Sequence, residues 1–163
     1  MTIISDATSL ILLAKVGLLE FFVSRNRVMA PTVVYGEVMK GKEKGREDSL
    51  LIERLRAEKR LQVKSPRKAA RNSIQRLFNL KGGELDVIAL AAGTQHTVLT
   101  DDRKCLNSAK ALGIEFVTSL DVVVTLYKKG AIPKERALEC INRLEEYGWY
   151  SRDPIKYYRE MVK

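Results

Sequence analysis

Short apolar runs alternate with longer segments of helical periodicity along the whole chain, and two of those runs end directly in aspartate. Thr2-Ile3-Ile4-Ser5 stops at Asp6, and Thr97-Val98-Leu99-Thr100 stops at Asp101-Asp102. Val28-Met29-Ala30, Leu61-Gln62-Val63 and Glu115-Phe116-Val117 are further short runs of strand type. A strand that is apolar throughout has both faces covered, which is the pattern of a parallel sheet in an α/β fold. The intervening segments suit the covering layers. Ser9 is placed to cap a helix carrying Leu10, Leu13 and Ala14, with Gly17 near its end. Pro31-Thr32 opens a helix with Val33, Val34, Glu37 and Val38. Lys40 to Glu47 is a charged connection, Leu50 to Leu61 repeats apolar residues at helical spacing, and Ser65 to Arg71 is a basic loop leading to a helix through Ile74 and Leu77. Lys81-Gly82-Gly83 breaks the chain before a helix from Glu84 to Ala92, with Leu85, Ile88, Ala89 and Ala92 on one face. Further helices are expected over 103–112, 120–129, 134–147 and 153–162. The expected fold is a three-layer α/β/α sandwich with a central, mostly parallel sheet. It is read as one domain over residues 1–163, with the helices from about 134 to 163 open to a role as an accessory or interface extension.

Composition narrows the class. The 163 residues are 45% apolar and 30% charged, which excludes a disordered chain. No apolar run reaches the roughly 20 residues that span a bilayer. The richest, Leu10 to Phe22, is interrupted by Lys15, Gly17 and Glu20 and lacks the basic leader and cleavage site of a signal peptide. A cytoplasmic protein with no membrane partner is expected. Cys105 and Cys140 match no metal or redox spacing and read as free buried thiols in a reducing compartment. Lys and Arg total 29 against 20 Asp and Glu, a net charge of +9 that favours a polyanionic partner such as nucleic acid.

Within this basic chain, certain acids occupy informative places. Open α/β sheets bind ligands beyond the carboxyl ends of their strands. Asp6, Asp101 and Asp102 follow two strands directly. Glu37 lies on the helix after the second strand, and Glu84 in the first turn of its helix, where a carboxylate suits the helix dipole. Singly, each has an ordinary reading: a turn, a solvated helix residue, a helix-end charge, a cap. Their joint placement is what points to chemistry. His96, the single histidine, sits before a strand at the opposite edge from the acids and reads as structural. Trp149, with Tyr147 and Tyr150, reads as core or interface packing rather than a base-stacking platform.

Four segments resemble the motifs of the PIN-domain family, in order and spacing. Ile4-Ser5-Asp6-Ala7-Thr8-Ser9-Leu10-Ile11 is similar to its opening motif, and Pro31-Thr32-Val33-Val34-Tyr35-Gly36-Glu37-Val38 to its second. Gly83-Glu84-Leu85-Asp86-Val87-Ile88-Ala89-Leu90-Ala91 resembles the third, and Leu99-Thr100-Asp101-Asp102-Arg103 the fourth. The branch it most resembles has a Gly-Glu third motif and an Asp-Asp fourth; there, later segments resemble Thr118 to Ile132 and Gly148 to Val162. The third motif offers Glu84 or Asp86 to the site, with Glu84 preferred because it follows the glycine. The fourth offers Asp101 or Asp102.

The resemblance implies a metal-dependent endoribonuclease. Asp6, Glu37, Glu84 and Asp102 would be the catalytic, metal-holding acids, with Asp101 as neighbour or alternative, and Mg²⁺ or Mn²⁺ as cofactor. Crowded carboxylates repel one another unless a cation holds them, and these ions favour oxygen ligands. Such an ion activates water and polarises phosphate. Ser9, Thr100 and Arg103 are the candidate substrate contacts. Lys40, Lys42, Lys44, Arg46, Lys64, Arg67, Lys68, Arg71 and Lys104 add cations able to hold phosphates in a salt-dependent way. RNA is the expected partner ahead of DNA. The family also implies a homodimer and, for members of the VapC toxin type, an antitoxin protein. A PIN-fold module that binds RNA or protein without cutting is the alternative. Two other acid-and-magnesium classes fit less well. A haloacid-dehalogenase-like site wants a second Asp where Thr8 stands, and a receiver wants its acid pair after the first strand.

Overall fold

The protein is described from a computed structural model covering residues 1–148 and 150–163, so the sequence reading of Trp149 lies outside the described residues. Five strands form one parallel sheet: β1 (Ile3–Ser5), β2 (Val28–Pro31), β3 (Leu61–Lys64), β4 (Thr97–Leu99) and β5 (Phe116–Val117). Their spatial order is β3-β2-β1-β4-β5. The chain therefore moves outward from β1 to one edge, then returns past β1 to build the other side. Between the strands lie α1 (Ala7–Lys15), α2 (Leu19–Arg25), α3 (Thr32–Glu43), α4 (Glu47–Ala57), α5 (Lys68–Leu77), α6 (Gly82–Ala91) and α7 (Arg103–Ala111).

Right-handed crossovers put the helices of the outward leg on one face of the sheet and those of the return leg on the other. Helix α1 lies against α3 and α4, and α6 against α5, α7, β1, β2 and β4; α3 also reaches α6. This is the expected α/β sandwich. Helix α6 is its central helix. Leu85, Val87, Ile88 and Ala91 are fully buried, as are Ile4, Val98 and Leu99 of the strands they cover. Each fully buried Leu or Ile contributes about 1.5–3 kcal/mol. A helix apolar on every side belongs in a core rather than on a surface, and α6 is held so firmly for this reason.

Three local expectations change. Asp6, not Ser9, is the N-cap of α1, and its Oδ1 accepts from the Ser9 backbone N–H at 2.8 Å. Both residue types cap well; the strand ends at Ser5 and the helix begins at Ala7, so the capping position falls on Asp6. Helix α3 continues to Glu43, through much of the stretch read as a charged connection. Gly82 and Gly83 do not break the chain but form the first turn of α6.

The chain divides into two compact units, Met1–Val117 and Thr118–Lys163. The second is built from α8 (Ser119–Lys128), α9 (Lys134–Tyr147) and α10 (Arg152–Met161), which pack on one another. Thr118 and Asp121 form a reciprocal capping box at the start of α8. The Tyr158 hydroxyl donates to Asp121 Oδ1 at 2.6 Å and ties α10 to α8. Among the described residues no single helix is long and apolar enough to cross a membrane.

Candidate active site

The strand order reverses between β1 and β4, and at such a switch point the crossovers leave a crevice beyond the carboxyl ends. Ser5 pairs with Leu99, and the Asp6 backbone N–H donates to the Leu99 carbonyl at 3.2 Å. The residues that follow, Asp6 and Thr100, therefore meet although 94 positions separate them. The Thr100 hydroxyl donates to Asp6 Oδ2 in a short hydrogen bond, while its oxygen accepts from the Asp102 backbone N–H at 3.1 Å. Asp6 is only 5% exposed. Burial pushes its carboxyl up from 3.8 to about 6, against the hydrogen bonds of Thr100 and Ser9 that pull it down; the charge of Asp101 adds to the rise.

Both members of the aspartate pair belong to this site, in different ways. Asp101 Oδ2 accepts from the Ser9 hydroxyl at 2.7 Å, which links it to the helix that Asp6 caps. Asp102 is the N-cap of α7, with Oδ1 accepting from the Cys105 N–H at 2.8 Å. Ser9 and Thr100 are fully buried, and their hydroxyls hold carboxylates. In this structure both hydroxyls are engaged with these acids. Cys105 was not read from the sequence as part of the site. It is buried, hydrogen-bonds Thr100 and lies within the field of Asp6, Asp102 and Glu84; burial is the main reason its thiol is pushed up to about 12. Its place three residues after the capping Asp102 was the available signal. Cys105 and Cys140 are both buried thiols outside any disulfide, as expected.

Glu37 reaches the crevice from α3. Although the residue is exposed overall, its carboxylate rests on the first turn of α6. A Cβ at Gly83 would stand 3.2 Å from Glu37 Oε2 and 3.0 Å from Val34 Cγ2. Gly82 adopts φ +51°, a conformation that favours glycine. The Gly-Gly pair thus permits the carboxylate to approach the amino end of α6, where the Gly83 N–H bonds it. Loss of solvent and then the charge of Glu84 raise the Glu37 carboxyl, opposed by Gly83 and Lys40, with Asp86 adding to the rise. Glu84 is half-buried in the same turn. Asp86, the other acid of that motif, is buried and engaged by Arg71 Nε at 2.7 Å.

The cations are less uniform than the sequence implied. Lys42 pairs with Glu53 at 2.6 Å, and Arg71 with Asp86, so neither is a free phosphate contact. Arg103 and Lys104 are exposed at the start of α7, beside the aspartate pair. Among the described residues no ion pair includes Asp6, Glu37, Glu84 or Asp102.

The donors at this crevice are all carboxylate oxygens, the ligand type of Mg²⁺ and Mn²⁺ rather than of Zn²⁺. Two of them carry raised pKa values because burial and like charge oppose ionisation, the condition that a bound cation relieves. Among the described residues no three acids stand together as a ready-made metal cage. Mg²⁺ needs none, since it keeps several waters and takes one or two carboxylates with substrate phosphate. The residues therefore fit a hydrated divalent ion.

Compared with known families, residues 2–162 match a family model described as a PIN domain. No curated protein matches the chain.

Proposed function

The chain belongs to the PIN-domain family, whose members are typically nucleases, and from that premise we propose a divalent-metal-dependent endoribonuclease. The observation that carries the proposal is the convergence of Asp6 and Asp101 at the strand-order reversal, each held by a buried hydroxyl, with no balancing ion pair on Asp6. Asp6, Glu84 and Asp102 would hold the ion directly or through its waters, with Asp101 and Glu37 completing the acidic wall. When bound, Mg²⁺ or Mn²⁺ supplies the positive charge that makes a water nucleophilic at neutral pH and polarises the phosphate. The chain's own part is positioning. Thr100 fixes one oxygen of Asp6 and the Ser9 N–H fixes the other, so the carboxylate is oriented before substrate arrives. The Ser9 hydroxyl does the same for Asp101. Arg103, exposed at the start of α7, would hold a phosphate flanking the scissile one. In the proposed reaction a water oxygen bonds to phosphorus while the bond to the 3′ oxygen breaks. The water gives one proton to a carboxylate and the departing 3′ oxygen takes one from solvent, leaving a 5′-phosphate and a 3′-hydroxyl.

Cleavage of a labelled RNA with Mg²⁺ or Mn²⁺ tests this across Asp6→Asn, Glu37→Gln, Glu84→Gln and Asp102→Asn. Loss of cutting in the Asp6 and Glu84 variants is expected; metal-dependent cutting that survives all four overturns the site. The finer readings go with it: RNA ahead of DNA, a homodimer, and a toxin restrained by an antitoxin as in the VapC type, from whose usual third and fourth motifs this chain departs. They are read by substrate comparison, by mass in solution, and by whether induced expression arrests growth. The alternative reading is a PIN-fold module that binds RNA or protein without cutting. That reading predicts RNA binding unaffected by chelator, with no cleavage under any metal.

A further inference from the structure

At the other end of α6 from the acids lies a cavity of about 430 Å³, in the volume range of small-molecule sites. It is bounded by the end of β3, the start of α5, the last turn of α6 and the segment leading into β4. From Glu84 to its lining residues near Ala92 is about 10 Å along the helix at about 1.5 Å per residue. Its chemistry differs from that of the crevice. No Asp or Glu lines it, whereas Lys64, Arg67 and His96 do. Neither Lys64 nor Arg67 enters an ion pair among the described residues. The His96 Nδ1 accepts from the Thr2 backbone N–H at 3.4 Å, which leaves the proton of the neutral ring on Nε2 as a donor. Arg67 is also the N-cap of α5, a helix with no side-chain cap and no acid in its first turn, so its amino-end dipole adds to the positive field. The rest of the lining is largely apolar, from Met29 of β2 to Ala89 and Leu90 of α6.

We propose that this cavity binds a nucleoside monophosphate. The phosphate lies against Lys64, Arg67 and the start of α5, and the base against the apolar wall. A free carboxylate or inorganic phosphate would satisfy the cations but leave that wall uncovered. A nucleobase has apolar faces for the wall and polar edges for the His96 donor. The site is separate from the acidic crevice, so its occupancy does not depend on the nuclease reading.

Calorimetric titration of the full chain with AMP, in low salt with EDTA present, tests the proposal. Saturable one-site binding is expected. Arg67→Ala and Lys64→Ala, both at exposed positions, should each weaken it about tenfold or more, the effect of losing a charged phosphate contact. Ala70→Trp, which fills the cavity from α5, should abolish it, and Asp6→Asn should leave it unchanged. Absence of saturable binding, or binding that persists in the Arg67→Ala and Lys64→Ala variants, overturns the site. Inorganic phosphate binding as tightly as AMP overturns the nucleotide assignment. Adenosine binding as tightly as AMP overturns the phosphate contact.

Discussion

Removing the charge of Asp6 should stabilise the protein, and the gain should depend on pH in a defined direction. In the folded chain burial raises this carboxyl from 3.8 to about 6. A carboxylate with a raised folded pKa binds its proton more tightly when folded than when unfolded. Its contribution to stability is therefore fully present below about pH 4 and lost as pH rises through about 6. At about 1.4 kcal/mol per pH unit, the difference between the two values amounts to about 3 kcal/mol. Asp6→Asn has no such loss. Asn also caps a helix well, so the backbone end of α1 stays satisfied. The variant should gain on the wild type steadily between pH 4 and pH 7. For a chain of this size about 3 kcal/mol corresponds to a Tm difference of roughly 6–12 °C. Thermal unfolding in EDTA, followed by circular dichroism at half-unit pH steps, reads this directly. Adding Mg²⁺ or Mn²⁺ at pH 8 should raise the wild-type Tm and leave the variant's unchanged, because the ion binds the charge that the variant lacks. A variant less stable than wild type at pH 8, or a difference that stays flat from pH 4 to pH 8, would refute the claim that desolvation of Asp6 dominates its energetics.

Gly83→Ala places a Cβ 3.0 Å from Val34 Cγ2 and 3.2 Å from Glu37 Oε2. It should displace that carboxylate, destabilise the fold by about 1–3 kcal/mol as overpacking does, and reduce RNA cleavage; chemical denaturation alongside an activity assay separates the two effects. Arg71→Ala leaves the buried Asp86 without its 2.7 Å partner. Because Arg71 is 39% exposed, the expected loss is at the low end, about 1–2 kcal/mol. Adding Asp86→Asn should recover part of it, which a double-mutant cycle by urea titration measures. Burial holds Cys105 as a thiol, pushed up to about 12, and also raises Cys140. Neither should label with a disulfide reagent at pH 8 in the native protein within minutes, and both should label after denaturation; rapid native labelling contradicts the burial.

The parallel sheet was legible because β1 and β4 are short, apolar and covered on both faces, so their sequences carry the burial directly. Asp6 and Asp101-Asp102 were legible as strand-end acids for the same reason. The strand order was not: nothing local distinguishes a return past β1 from a continued outward walk, yet that reversal brings Asp6 against Thr100. Gly82-Gly83 was misread because two adjacent glycines lower helix propensity. Their reason is tertiary, the approach of a carboxylate from α3, 46 positions earlier in the chain for Gly83. The partner of Asp86 was equally out of view, since Arg71 lies on a different helix. In each case the missing information was a contact between elements, which periodicity and propensity do not encode.

The charge distribution links the stability of the site to its use. The chain is basic by +9, so cations were available to neutralise these acids. Instead Lys42 is paired with Glu53, Arg54 and Arg60 with Glu20, and Arg71 with Asp86. A lysine in contact with Asp6 would have lowered its pKa and removed the destabilisation. Under the proposed function, it would also have filled the place of the metal ion with a fixed charge unable to activate water. Functional sites commonly keep such locally unfavourable arrangements while the surrounding core stabilises them. Here that core is α6 and the β1–β4 pair, whose fully buried Leu85, Ile88, Ile4 and Leu99 each contribute an amount comparable with the about 3 kcal/mol at stake on Asp6. Neutralising Asp6 should therefore raise stability and lower cleavage together, whereas trimming Leu85 should lower both. A merely structural acid would not produce opposite signs of that kind.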